Sequence, residues 1–535
     1  MSRIYTSHLS SEAGLADRER VLMSLPRRIC DIPALAGDPA AVALRHEGFA
    51  WTYAALDEAA RGAAAALGAA GVRGGDRVMI VGENCPELLV LLFAVTRLDA
   101  WPVILNARLS PREVDAIAAH CTPRRAVFLA CVSDDAAAHA ARVGAHESLA
   151  LGGKGGAVMT LRNDGCIAEP VHADAARQVG ALIYTSGTTG DPKGVMLSHR
   201  NLLFIARISS ALRALRPTDR VYGVLPISHV YGLASVSLGT LYGGACLELQ
   251  TRYTPQAMRD ALYEDGGLSM LQGVPPMYAK LLDLVDGEGE GARAPRLRAC
   301  FSGGAPLDAA LKRRFEQRFG VTLHNGYGLT EASPTIAHTR LDSPRADCAV
   351  GPLLPGVEAR LVDPRAHDRC DAPEGEPGEL WVRGPNVMLG YYRNAALSAA
   401  TIDADGWLNT GDLAHCDTDG TLRIVGRTKE LIIRSGFNVY PAEVEAVLNA
   451  HPAILLSAVV GRAVDGNEEV VAFVELRPGC RASPTELATH ARSMLAPYKQ
   501  PAEIRIVDAL PVAANGKVLK HRLAQHVARA PAASV

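Results

Sequence analysis

The chain has 535 residues, 48% of them apolar, and a formal charge of −2, so at roughly 150 residues per domain it holds two to four domains, and its bulk charge offers nucleic acid no footing. Its 11 cysteines form no C-x-x-C pair and no His/Cys cluster of zinc spacing; with no signal-peptide pattern either, this predicts a reducing, cytoplasmic setting. The longest apolar run, near 88–95, is too short to span a bilayer, so no integral membrane segment is expected.

In chain order, residues 52–67 are Ala-rich and predict a helix. Residues 78–81 predict a strand, 86–95 a helix and 103–105 the next strand. This alternation predicts parallel sheet covered by helices. Residues 151–156 read as a glycine-rich loop. The apolar run 181–184 predicts a buried strand, and it opens into Thr185-Ser186-Gly187-Thr188-Thr189-Gly190-Asp191-Pro192-Lys193-Gly194. Glycine lets a backbone fold back and approach an oxygen closely. Hydroxyls and N–H groups then converge on one small anion, and Lys193 adds a compact cation. The pattern predicts a phosphate cradle; a plain surface turn would not need so many donors. It is not a Walker A loop, because four residues do not separate a glycine from Gly-Lys-Ser/Thr.

Residues 287–291 read as a solvated loop. Residues 350–425 alternate strand-like pieces, such as 378–382, with Gly/Pro turns and predict a β-rich subdomain. The last unit follows Gly426-Arg427-Thr428-Lys429-Glu430. It predicts a helix over 441–450 stopped by His451-Pro452, strands over 457–460 and 470–476, and a helix near 485–495. The expected class is α/β: a large multi-subdomain N-terminal region with mainly parallel sheets plus a β-rich subdomain, then a small α+β C-terminal domain. Only eight of the 55 basic residues are lysine, yet Lys193, Lys429 and Lys517 all fall in Gly-rich or charged motifs. A compact ammonium on a flexible stem is what arginine does not copy.

Four further motifs carry chemistry: Ser302-Gly303-Gly304-Ala305-Pro306-Leu307, Asn325-Gly326-Tyr327-Gly328-Leu329-Thr330-Glu331, Gly406-Trp407-Leu408-Asn409-Thr410-Gly411-Asp412 and Pro511-Val512-Ala513-Ala514-Asn515-Gly516-Lys517. Together with the cradle they resemble the adenylate-forming superfamily, which holds acyl-CoA synthetases, luciferases and peptide-synthetase adenylation domains. The resemblance runs over about 52–523. It implies an enzyme that activates a carboxylate with ATP, forms an acyl-adenylate and pyrophosphate, and passes the acyl group to a thiol or another acceptor.

The resemblance also implies roles. Thr185, Ser186, Gly187, Thr188, Thr189, Gly190 and Lys193 would bind ATP phosphates. Gly303, Gly304 and Ala305 would lie against adenine. In the next motif, which includes Gly326 and Gly328, Asn325 would meet the adenine amino group and Tyr327 would stack on the ring. Thr330 would bond the α-phosphate and Glu331 would ligate Mg²⁺, which takes a hard carboxylate oxygen beside phosphate oxygens. A carboxylate accepts both ribose hydroxyls at once; that role falls to Asp412, supported by Arg427. Lys517 would touch the substrate carboxylate and the α-phosphate region, where an ammonium offsets the repulsion of two anions. The family often has a basic residue after the proline of this last motif, and Val512 departs from that.

Lys429 matches the hinge of the family, giving domains 1–428 and 429–535. The mobile C-terminal domain would deliver Lys517 in one orientation. In the other it would present Arg434, Ser435 and Gly436 to coenzyme A, with Gly436 leaving room for the pantetheine arm and Arg434 pairing with a phosphate. Pro226-Ile227-Ser228-His229-Val230-Tyr231-Gly232 resembles the loop where the acid enters, with His229 as gate. That stretch holds no acidic residue, which disfavours amino-acid substrates. Gly232, Ser235, Gly273, Gly303 and Gly326 are small and predict an open apolar cavity, suited to a fatty chain or an aromatic ring. The expectation is an ATP- and Mg²⁺-dependent acid:CoA ligase. The alternative is an acyl-AMP ligase loading a carrier protein. The chain ends soon after Lys517 with no carrier domain, so the acceptor is expected to diffuse, and CoA is the simplest.

Overall fold

The computed structural model describes residues 4–6, 26–151, 156–160, 162–186, 192–264, 266–287, 294–364, 370–435, 437–464, 467–512 and 518–529. Apolar runs long enough to be buried on both faces became the central strands of two eight-stranded sheets. In one, Arg77–Gly82, Trp101–Asn106, Arg125–Phe128 and Val179–Ser186 run parallel. In the other, six strands run parallel, from Val42–His46 through Leu323–Gly328. The expectation of parallel sheet therefore holds for the centres; the outer strands of both sheets are antiparallel.

Helix Pro86–Arg97 buries Pro86 through Thr96 on every side. Being apolar all round makes it a core helix. None of the described helices is long and apolar enough to cross a membrane. Gly156 opens strand Gly156–Met159 and Gly287 closes helix Pro275–Gly287; of the two stretches read as glycine-rich loops, residues 152–155 and 288–291 lie outside the described residues.

The β-rich part is an antiparallel six-stranded sheet whose edge strand, Tyr5–Thr6, pairs with Glu358–Val362. The last unit holds hairpin Ile432–Arg434/Phe437–Val439, helices Pro441–Asn449 and Pro484–Met494, long hairpin Ile454–Val464/Asn467–Leu476, parallel strand Glu503–Val507 and helix Lys520–Arg529. Its two apolar clusters draw only on residues 432–527.

Candidate active site

The cradle is a hairpin. Val179–Ser186 runs in and Pro192–Ser198 returns antiparallel, with Lys193 opposite Thr185. Lys193 thus stands on a strand, not in the loop. Gly187, Thr188, Thr189 and Gly190 lie outside the described residues. A Cβ at Gly194 would sit 3.1 Å from the Tyr184 ring, so glycine lets that ring lie across the hairpin. The Tyr184 hydroxyl meets His120 Nδ1 at 2.7 Å.

Strand Gly390–Tyr391 extends the hairpin, with Tyr391 opposite Val195. Its hydroxyl donates to Glu331 Oε1 at 2.8 Å. Burial, reinforced by the Glu331 charge, pushes the Tyr391 hydroxyl well above its ordinary pKa, so it stays a donor. One residue therefore ties the cradle strand to the carboxylate expected to hold magnesium. Sequence reasoning missed Tyr391; Gly390-Tyr391-Tyr392, an aromatic pair after a glycine, was the available signal.

A second rim forms where parallel strands end together. Gly273 lies beside Ser302, and Ser302 beside Asn325. Loops at the carboxyl ends of such strands are where α/β sheets bind ligands. Gly304 has φ +77°, which favours glycine. Asn325 Nδ2 donates to the Cys348 carbonyl at 2.8 Å, and Oδ1 accepts from Gly326 N at 3.1 Å, keeping a second lone pair. A Cβ at Gly328 would fall 1.9 Å from the Pro334 carbonyl oxygen, so the backbone itself requires glycine there. Thr330 is buried in the short turn Thr330–Ala332 that follows.

Asp412 and Arg427 face each other across adjacent strands. Asp412 Oδ1 is 3.0 Å from Arg427 Nε, and Oδ2 accepts the Tyr327 hydroxyl at 2.5 Å. The Asp412 charge raises the Arg427 pKa. Burial, and then that same charge, hold the Tyr327 hydroxyl far above its usual value. Tyr327, expected as a stacking surface, thus also spends its hydroxyl on the carboxylate.

The small residues of the expected acyl pocket do not leave it open. Gly232 is the second residue of a π-helical stretch, Tyr231–Leu238. A Cβ there would lie 2.2 Å from the Pro226 carbonyl oxygen and 2.5 Å from that of Leu225. The space beside Gly303 holds the Tyr231 ring at 3.2 Å, that beside Gly326 holds His338 at 2.8 Å, and that beside Gly273 holds Tyr278 at 3.3 Å. Ser235 is fully buried against Thr335 at 3.2 Å. His229 Nδ1 accepts from Tyr231 N at 3.3 Å. The glycines serve close packing. A cavity of about 840 Å³ opens beside them instead, lined by their neighbours Pro226, Ser228 and Val274 and by Leu456, Leu510 and Val512 of the last unit.

That cavity lies between the two parts of the chain. Arg477 of the last unit reaches Asp283 at 3.3 Å, and Arg314 holds the same carboxylate at 2.9 Å. Lys429 sits in the turn Thr428–Glu430, anchored by Thr428 Oγ1 donating to Glu379 at 3.0 Å. Arg434 Nη1 donates to the Gln500 carbonyl at 2.7 Å, which ties this side chain to its own unit. Ser435 N donates to Asn467 Oδ1 at 2.7 Å, and Phe437, 55% exposed, stacks on Tyr498. Gly436 and Lys517 lie outside the described residues, flanked in the second case by Val512 and Val518, which pair with each other.

Residues 33–392 match the family model of the AMP-binding enzyme, and 443–517 that of its C-terminal domain. The chain belongs to the AMP-binding enzyme family. It is 36% identical over 492 residues to feruloyl-CoA synthase of Amycolatopsis sp, covering 90% of this chain and 95% of that one. It is 34% identical over 490 residues to 4-coumarate–CoA ligase 5 of Oryza sativa subsp. japonica, covering 88% of each. The crystal structure of ATP-bound MatB from Rhodopseudomonas palustris superposes with a TM-score of 0.80 at 32% identity, over 93% of this chain and 99% of that one. This AMP-binding enzyme is an acyl-CoA synthetase of the AMP-forming kind. It joins a carboxylic acid to CoA through an adenylate, at the expense of ATP. Among its described residues no group of three or more His, Cys, Asp or Glu could hold a metal ion.

Proposed function

We propose that the acid is aromatic, of the hydroxycinnamate type, and that the reaction runs from adenylate to CoA thioester without a carrier protein. Similarity to feruloyl-CoA synthase over 95% of that chain's length carries this reading. The test is a panel of acids scored by pyrophosphate and AMP release with CoA as the sole acceptor. Turnover of cinnamic acids above aliphatic acids supports it; preference for a long aliphatic acid, or AMP release that needs a carrier protein, overturns it.

The residues divide the work as follows. Asp412, held by Arg427 and Tyr327, is the carboxylate that would accept both ribose hydroxyls. Asn325 keeps one for the adenine amino group. The hairpin carrying Thr185 and Lys193 receives the phosphates. Glu331 Oε1 is taken by Tyr391, leaving Oε2 as the hard oxygen that suits Mg²⁺, an ion that uses one or two carboxylates beside substrate phosphates. When bound, the ion screens phosphate charge.

Carboxylate attack on the α-phosphorus brings two anions together. Lys517 supplies the opposing charge, and Val512, which begins the segment leading to it, already lines the cavity between the domains. In the same arrangement Arg434, Ser435 and Phe437 contact only their own unit in the bonds described above. The thioester step then requires domain 429–535 to turn on Lys429 against domain 1–428, bringing that hairpin to the cavity. Ser228 lines that cavity, and His229 follows it in the loop where acid and thiol would meet.

A further inference from the structure

Behind the expected acyl site lie buried groups with unmet hydrogen-bonding capacity. Gln272 is fully buried on strand Met270–Gly273. Neither its amide nitrogen nor its amide oxygen has a partner among the described residues. Gln272 lies beside Phe301, and Phe301 beside His324, one residue deeper than the rim of Gly273, Ser302 and Asn325. Neighbours in register share a sheet face. Arg213 covers that same face: its guanidinium carbon is 5.2 Å from the centre of the Phe301 ring. Its Nη1 donates to the Ser235 carbonyl at 2.7 Å, while its Nε has no partner among the described residues. Ser235 belongs to the π-helical stretch that begins at Tyr231, whose ring packs on Gly303. Val274, two residues beyond Gln272, lines the cavity of about 840 Å³, so the layer borders that open space rather than the filled one beside Gly303.

Leaving a buried donor or acceptor unmatched costs about 1–3 kcal/mol per group. Buried polar groups that stay unmatched call for a reason, and a ligand that completes them is one. A glutamine amide sets one donor beside one acceptor. A hydroxyl, which gives one proton and receives another, matches both. An aliphatic chain matches neither, and a carboxylate would set its oxygen against the amide oxygen. The positive field of Arg213 in the same layer favours an electron-rich oxygen.

We propose that Gln272 is a specificity-determining residue that hydrogen-bonds a hydroxyl carried by the aromatic acid at the end remote from its carboxylate. This rests on the aromatic-acid reading above. The experiment measures kcat/KM for pyrophosphate release by the full-length enzyme with three acids: 4-hydroxycinnamate, cinnamate and hexanoate. A site built to bond a hydroxyl discriminates strongly against the analogue lacking it, so the hydroxylated acid should lead cinnamate by about 100-fold or more. In Gln272→Met, which keeps volume and removes the amide, the two cinnamates should converge to within about threefold. The variant should melt no lower than the wild type, because an unmatched polar group has gone. Equal use of both cinnamates by the wild type overturns the proposal and leaves the aromatic reading intact. A preference that survives Gln272→Met overturns it too. Turnover of hexanoate alone overturns the aromatic reading itself. Should the variant fail to fold, the wild-type pair of acids still decides.

Discussion

Asp412→Asn tests the nucleotide end of the site most sharply. The carboxylate is 4% exposed, and its two oxygens meet Tyr327 at 2.5 Å and Arg427 at 3.0 Å. An amide of the same shape offers one acceptor and turns its NH₂ toward either a donor hydroxyl or a guanidinium. Hydrogen bonds to a charged acceptor contribute about 1.5–3 kcal/mol and neutral ones about 0.5–1.5. Two ribose hydroxyls then lose about 2 kcal/mol together, which weakens ATP binding roughly 30-fold. The loss of stability is smaller, because the Arg427 side chain is 46% exposed and water takes over its solvation. About 1 kcal/mol is the fair figure for such a pair. The assay is direct ATP titration alongside the dependence of pyrophosphate release on ATP, with a melting curve as control. A folded variant that binds ATP within about threefold of the wild type would refute the ribose assignment.

Lys517→Ala should slow adenylation by about 100-fold while leaving thioester formation from supplied acyl-adenylate near normal; equal loss of both half-reactions contradicts the role. Tyr391→Phe removes the only donor described on Glu331 Oε1 and should lower the adenylation rate about tenfold, with a raised Mg²⁺ requirement; an unchanged Mg²⁺ titration argues against the link. Gly232→Ala drives a methyl to 2.2 Å from the Pro226 carbonyl oxygen and should cost about 1–3 kcal/mol of stability; an unaltered melting temperature would mean the segment yields freely. Burial holds His199 and His338 neutral, each with its pKa lowered to about 3. Between pH 6.5 and that value the unfolded chain binds both protons and the folded chain does not, so stability falls as pH drops, by at most about 2.7 kcal/mol per pH unit. A urea midpoint that is flat from pH 7 to pH 5 would contradict this.

Local patterns disclosed much of this architecture. The run 78–81 is strand because every residue of Arg77–Gly82 is buried, and continuous apolar sequence has no other use in a covered sheet. The helix read over 441–450 is Pro441–Asn449, ended as His451-Pro452 implied. Contacts between distant segments were not legible. Nothing near Tyr5 announces a partner at Ala359. Tyr391 meets Glu331 across 60 positions of sequence. The small residues misled for a related reason: a glycine shows that something comes close, but not whether it is a ligand or the chain's own carbonyl, as at Gly232.

The last unit carries its own apolar clusters, built solely from residues 432–527. A turn of this unit on Lys429, as proposed above, would leave both of those clusters whole. What must break on the far side is a water-accessible clasp, Arg477 on Asp283, and such clasps hold by less than about 1 kcal/mol. On the proposed swivel, alternation between the two chemistries would cost little free energy at this clasp, and traffic of small molecules would set its direction.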